Sequence, residues 1–319
     1  MKFDNRVLFY VSKLFVAISA MTFLALPIYA ANERFIMVSH APDSDPWWNT
    51  IKNALKEASS DMGVEVLYRN PASGDLADMA RIIEQSIASK PDGLIVSIAD
   101  YDVLKRPLEK ALKKQIPVIT INSGTYQQSQ QLGALTHIGQ PEYTAGYEAG
   151  KKAKNAGVTE FLCVNHYITN PSSVERCQGY ADGLGVELGN SMLDSSQDPT
   201  HIEKKVHAYL RSHSNTNGIL ALGPTSAIPV IRLLKKIREA GKMHFSTFDL
   251  SDEIAEAIET GTIDFAIDQQ PYLQGYMPIV MLALYSRYGI IPANDMHSGP
   301  AFITKRNLPS VRDLSGTVR

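Results

Sequence analysis

Cysteine is nearly absent: Cys163 and Cys177 are the only two in 319 residues. So few thiols exclude a disulfide-rich scaffold and a four-ligand zinc site of the thiolate kind. An excess of charge of one sign is lacking too, with 31 Lys+Arg against 33 Asp+Glu. Such a balance supplies no field to attract nucleic acid or an anionic lipid surface, so polymer partners are not expected. Low-complexity tracts and like-charge runs are missing, and 44% hydrophobic residues provide ample core material. The motifs of common catalysis are also missing. There is no GxSxG, HExxH or phosphate loop, and the Gly-rich stretch at 183–189 follows a helix instead of a strand, which disqualifies it as a dinucleotide fingerprint. His201, His207 and His213 recur every six residues and share no helix face, so no metal site is expected, and no cofactor. The chain is not expected to be an enzyme.

One long apolar run is present, at the start. Lys2, Arg6 and Lys13 form a basic head, Leu14 to Ala25 is apolar, and Pro27-Ile28-Tyr29-Ala30 ends on a small residue. This is the pattern of a cleavable signal peptide over residues 1–30, shorter than the roughly 20 apolar residues of a spanning helix. An uncleaved anchor is the competing reading. Export to the periplasm of a Gram-negative bacterium is the expectation.

The 289 residues after the leader exceed what one core usually holds, so two domains are expected. Strand and helix patterns alternate: strands at 34–39, 64–68, 94–98 and 118–122, with helices after Asp45-Pro46 and at 76–88 and 103–114. The helix after Asp45 carries Trp48, Ile51, Leu55, Ala58 and Met62 at helical spacing and stops at Gly63. Unbroken runs such as LIVSI and VITIN suit parallel strands buried on both faces. A second series starts after Ile138, with strands at 160–165, 218–222, 244–248 and 264–268, interleaved helices, and a last strand at 301–304. The stretch 124–132 is polar and Gln-rich and reads as a surface excursion. Two doubly wound α/β lobes are implied.

Ligands of doubly wound sheets sit beyond the carboxyl ends of the strands, so those residues are the ones to weigh. They include His40 to Trp48, Ser97 to Tyr101, Asn122-Ser123, Asn165-His166, Gly223 to Ser226 and Asp249. Adjacent Trp47 and Trp48 face different ways on a helix, which places one in the core and one in the cleft. Asp249 is a helix cap or a ligand acceptor, and Ser251, itself a capable cap, frees it for the second role. Asn122 is a turn former or a ligand contact. His166 is a satisfied, partly buried imidazole or a cleft donor, and Arg176 is either solvated beside Glu175 and Asp182 or turned inward. Cys163 and Cys177 close a small loop by a disulfide or are two separately buried thiols.

In DPWWNTIKNALKEAS, PDGLIVSIAD, IPVITINS, HIGQPEYTAGYEAGKKA, RCQGYADGL, STFDLSDEIAEAIETGTIDFAIDQQPYLQGY and GPAFITK, taken in order, the chain resembles the type I periplasmic sugar-binding proteins of ABC importers. The resemblance implies two parallel-sheet lobes joined by a three-crossing hinge, closing on a small ligand. It puts residues 31–138 plus 250–291 in the first lobe and 139–249 plus 292–319 in the second. It implies ligand contacts at Asp45, Trp47, Trp48, Ser97, Asn122, Asp249 and Gln269. Asn122-Ser123 stand where ribose-type receptors carry Asp-Arg, Val174 where they carry a ligand-binding Arg, and Gly223 where they carry Asn, which puts ribose itself in doubt. His166 and Arg176 are the candidates to replace the missing donors. A monomeric receptor for a small neutral sugar or polyol, delivering it to an inner-membrane permease, is the expected function. A co-receptor for a sensor kinase or chemoreceptor is the alternative.

Overall fold

The structure is a computed structural model describing residues 33–43, 45 and 47–319. The leader, its cut after Ala30 and the helix-starting Pro46 lie outside the described residues. Among the described residues, twelve strands form two six-stranded sheets. The first holds β1 (Arg34–Val38), β2 (Glu65–Arg69), β3 (Gly93–Ser97), β4 (Val118–Ile121), β5 (Thr136–Gly139) and β11 (Met296–His297), in the order β11-β5-β4-β3-β1-β2. All its pairings are parallel. The second holds β6 (Phe161–Asn165), β7 (Met192–Asp194), β8 (Gly218–Ala221), β9 (His244–Phe248), β10 (Phe265–Asp268) and β12 (Ala301–Thr304), in the order β12-β10-β9-β8-β6-β7. Only β12 runs antiparallel, against β10.

Each central strand is buried on both faces because both faces are covered by helices. In β1, Phe35 and Met37 pack with α1 (Trp47–Met62) and α10 (Pro271–Tyr288), through Trp48, Ile51 and Leu282. Ile36 and Val38 point the other way, to Met79 and Ile83 of α2 (Leu76–Ala88) and Leu104 and Leu108 of α3 (Tyr101–Lys113). The second sheet repeats the plan. Leu162 and Val164 meet α7 (Pro199–Ser212), α8 (Pro224–Lys236) and α9 (Asp252–Glu259). Phe161 and Cys163 meet α5 (Glu142–Asn155) and α6 (Pro171–Leu184). No described helix is long and apolar enough to cross a membrane.

Three crossings join the lobes, and two lie away from where the resemblance places them. The chain leaves the first sheet after Gly139, returns after β10 through Gln269-Gln270, and crosses again between β11 and β12, where the Gly299–Pro300 bond is cis. Residues 250–268 therefore belong to the second lobe, a correction to the expected boundary. The apolar side of α9 (Ile254, Ala257, Ile258) sits in the second core, and β10 then pairs with β9 at Phe265 and Ser246. The unit is one more strand-helix-strand step, so the crossing waits for its end. Conversely, Met296-His297 pairs with Ile138-Gly139 in the first sheet, although 292–319 was assigned to the second lobe. A two-residue strand has no periodicity to reveal it.

The Gln-rich 124–132 segment is also more than an excursion. It contains α4 (Tyr126–Leu132), begun by a capping box between Thr125 and Gln128 and ended by Gly133 in the left-handed region.

Candidate functional site

A cavity of about 460 Å³ lies between the lobes at the carboxyl ends of the strands. Eight of the nine expected ligand positions line it: Asp45, Trp47, Trp48, Asn122, His166, Arg176, Asp249 and Gln269. Ser97 does not. It is fully buried behind the wall, where its hydroxyl accepts the His40 backbone N–H at 3.1 Å and meets His40 Nδ1 at 2.9 Å. Its place is to hold the His40 ring, which does line the cavity.

Both tryptophans line the cavity and both touch the first core, to unequal extents. Trp48 is 2% exposed and sits in the first core, edge-on to His40 at 5.3 Å between ring centres. Trp47 is half-buried beside it, with the Asp45 carboxylate accepting its backbone N–H at 3.1 Å. The Trp47 indole N–H is shielded from solvent and has no hydrogen-bond partner in the chain, and the Asp249 carboxylate lies near it.

Asp249 and Asn122 end β9 and β4 at φ of 64° and 57°, in the left-handed region that Asp and Asn tolerate better than most residues. Asp249 caps no helix: Ser251 takes that role, accepting the Ile254 N–H at 3.2 Å. Its carboxylate instead accepts the Gln269 amide at 2.8 Å. Burial pushes its pKa up to about 7, against the pull of Arg176 and of the Gln269 hydrogen bond. Asn122 donates to Gln274 at 3.2 Å, and Gln274 donates in turn to the Gln269 carbonyl and the Ser298 hydroxyl. Amides thus tie the hinge crossings to the base of the cleft.

Arg176 is turned inward but already matched. Nε and Nη2 donate to the two Glu142 oxygens at 2.7 Å, Nη1 donates to the Leu222 carbonyl at 3.1 Å, and the guanidinium lies 4.2 Å from the Phe248 ring centre. Its geometry follows from glycine. Gly146 on α5 and Gly179 on α6 allow backbone contact, since a Cβ on either would approach a carbonyl oxygen of the other helix at 2.3 and 2.1 Å. His166 contacts the Ser226 hydroxyl at 3.3 Å, and burial, helped by Arg176, lowers its pKa to about 4, so it is neutral near pH 7.

Sequence reasoning missed the second-lobe rim. Asn170 caps α6 through Ser172 and also donates to Ser123 of the first lobe at 3.0 Å; Tyr167 faces His40 at 5.7 Å. The Asn-Pro dipeptide 170–171 was a readable helix start, but nothing local marks a contact across lobes. Cys163 and Cys177 form a disulfide, with Cα atoms 5.9 Å apart, tying β6 to α6 below this rim. Among the described residues no group of three or more His, Cys, Asp or Glu is placed to hold a metal.

The arrangement offers an indole, two carboxylates, side-chain amides and neutral imidazoles around one cavity, the donors and acceptors a polyhydroxylated ring requires. The chain is 25% identical over 292 residues to the xylose/arabinose-binding protein of Sulfolobus acidocaldarius, covering 86% of this chain and 72% of that one. It is 21% identical over 264 residues to the ribose import binding protein of Haemophilus influenzae, covering 81% and 87%. A carbohydrate transporter of Acidothermus cellulolyticus, solved with myo-inositol, superposes with a TM-score of 0.82 at 27% identity, covering 89% of this chain and 98% of that one. Residues 35–289 match the periplasmic binding protein domain family, one of solute-binding receptors and not of enzymes, and the chain belongs to it.

Proposed function

We propose that the protein traps a small neutral sugar or polyol between its lobes in the periplasm and hands it to the permease of an ABC importer. One observation carries this reading: the unpartnered Trp47 indole N–H beside the Asp249 carboxylate, a donor and an acceptor set together against an aromatic face. A ring hydroxyl both accepts and donates, so it satisfies both, while the ring's apolar face covers the indole. The relatives that bind xylose, arabinose and ribose, and the structural neighbour holding myo-inositol, support the same class. Export rests on the leader read at residues 1–30 and on the family's periplasmic character.

Titration with neutral monosaccharides and polyols, followed by tryptophan fluorescence, tests the reading. Saturable quenching or enhancement by at least one of them, lost in Trp47→Ala, is expected. A flat response to every one contradicts it.

A further inference from the structure

The cavity is larger than one sugar ring and runs along one helix of the second lobe. A hexose has about 12 non-hydrogen atoms; at liquid water's share of about 30 Å³ each, generous for covalently joined atoms, it fills at most roughly 360 Å³. The cavity measures about 460 Å³. Its lining extends up α8 through Thr225, Ile228 and Arg232, one stripe at i, i+3 and i+7. From Thr225 to Arg232 that stripe is about 10 Å long at 1.5 Å per residue. Gln197, just before α7, lines it too.

Gly223 lies where this extension meets the inner site, between Asp249 and His166. A Cβ there would lie 3.4 Å from an Asp249 carboxylate oxygen and 3.6 Å from the His166 ring, and its φ of 150° disfavours any other residue. Ser172 adds a second, independent sign of a ligand. It lines the cavity, is 3% exposed, and its hydroxyl has no hydrogen-bond partner. A buried hydroxyl left unmet by the chain is costly unless something else meets it.

We propose that α8 and Gln197 form an outer subsite for a second sugar unit, and that the ligand is a neutral disaccharide. This rests on the sugar reading above. Thr225, Gln197 and Arg232 present a hydroxyl and planar donors for the second ring's oxygens, and Ile228 covers its apolar face. The second unit is neutral because two carboxylates, Asp45 and Asp249, share the cavity with the single charge of Arg232, while the Arg176 charge is already matched by Glu142.

Calorimetric titration with xylose, arabinose, glucose and galactose, their disaccharides xylobiose, arabinobiose, cellobiose and lactose, and glucuronic and galacturonic acids tests it. At least one disaccharide should bind about tenfold or more tightly than its own monosaccharide. Arg232→Ala and Ile228→Trp should each bring that ratio close to one, with circular-dichroism melting confirming that both variants fold. Monosaccharides binding as tightly as every disaccharide, or more tightly, would overturn the outer subsite while leaving the sugar reading intact. A uronic acid binding tightest would overturn it by giving Arg232 a carboxylate to hold. Binding by none of the sugars would defeat the sugar reading and this inference with it.

Discussion

Arg176 donates to both oxygens of Glu142 at 2.7 Å beneath the cleft, an ion pair almost sealed from water. Two charges that match each other in this way shape the wall without offering the ligand a strong charge. Removing one leaves the other buried and unpaired, which typically costs about 3–5 kcal/mol. Glu142→Ala should lower unfolding stability by about that amount in urea titration. A loss below about 1 kcal/mol would mean that the pair is solvated and contributes as surface pairs do.

The tryptophans should separate by the property each affects. Trp47→Ala is expected to weaken ligand binding by roughly 1–3 kcal/mol with little effect on melting. Trp48→Ala removes a core side chain and should cost about 3–5 kcal/mol of stability. Calorimetry and thermal unfolding of the two variants check this, and equal effects on both properties would contradict the division.

Asp249 gives binding a pH dependence with a defined sign. Its pKa is raised from 3.8 to about 7 by burial, so its contribution to the free protein's stability is full below pH 4 and is lost as pH rises to about 7. His40 and His166, both lowered to about 4 by burial, act oppositely: their contribution is present above pH 6.5 and is lost as pH falls toward 4. Comparison with Asp249→Asn isolates the carboxyl. Wild type should lose stability relative to the variant between pH 4 and 7. Ligand hydroxyls favour the ionised acceptor, so wild-type affinity should climb between pH 6 and 8 while that of Asp249→Asn stays level and weaker. A pH-independent wild-type affinity, measured by calorimetry, would remove Asp249 from the ligand's contacts.

How much of this was legible depended on the length of the signal. Runs such as LIVSI and VITIN identify buried parallel strands because segments this rich in Val, Ile and Leu, with only a small hydroxyl residue between, have few other uses. Asp249, Asn122 and Gln269 were legible because they stand immediately after such strands. The two-residue strand Met296-His297 has no pattern at all, and it decides part of the domain boundary. Ser97 shows the limit of position as evidence: it stands at a strand end like Asn122, yet His40 folds over it and takes its hydroxyl. The Asn170–Ser123 contact joins residues 47 positions apart in different lobes, which no local spacing encodes.

The Cys163–Cys177 bridge should leave no free thiol in the unfolded, unreduced protein. Closing a loop of this length restricts the unfolded chain by about 3 kcal/mol on the chain-entropy account. Cys163→Ser/Cys177→Ser should therefore unfold at lower urea by a corresponding amount. Two titratable thiols in the oxidised wild type would contradict the bridge.

Mass spectrometry of small molecules released by denaturing freshly purified protein tests the central claim most directly. A neutral sugar or polyol, near one per chain and absent from Asp249→Asn prepared in parallel, is the expected result. Stoichiometric release of an amino acid, peptide or nucleotide instead would contradict a sugar receptor.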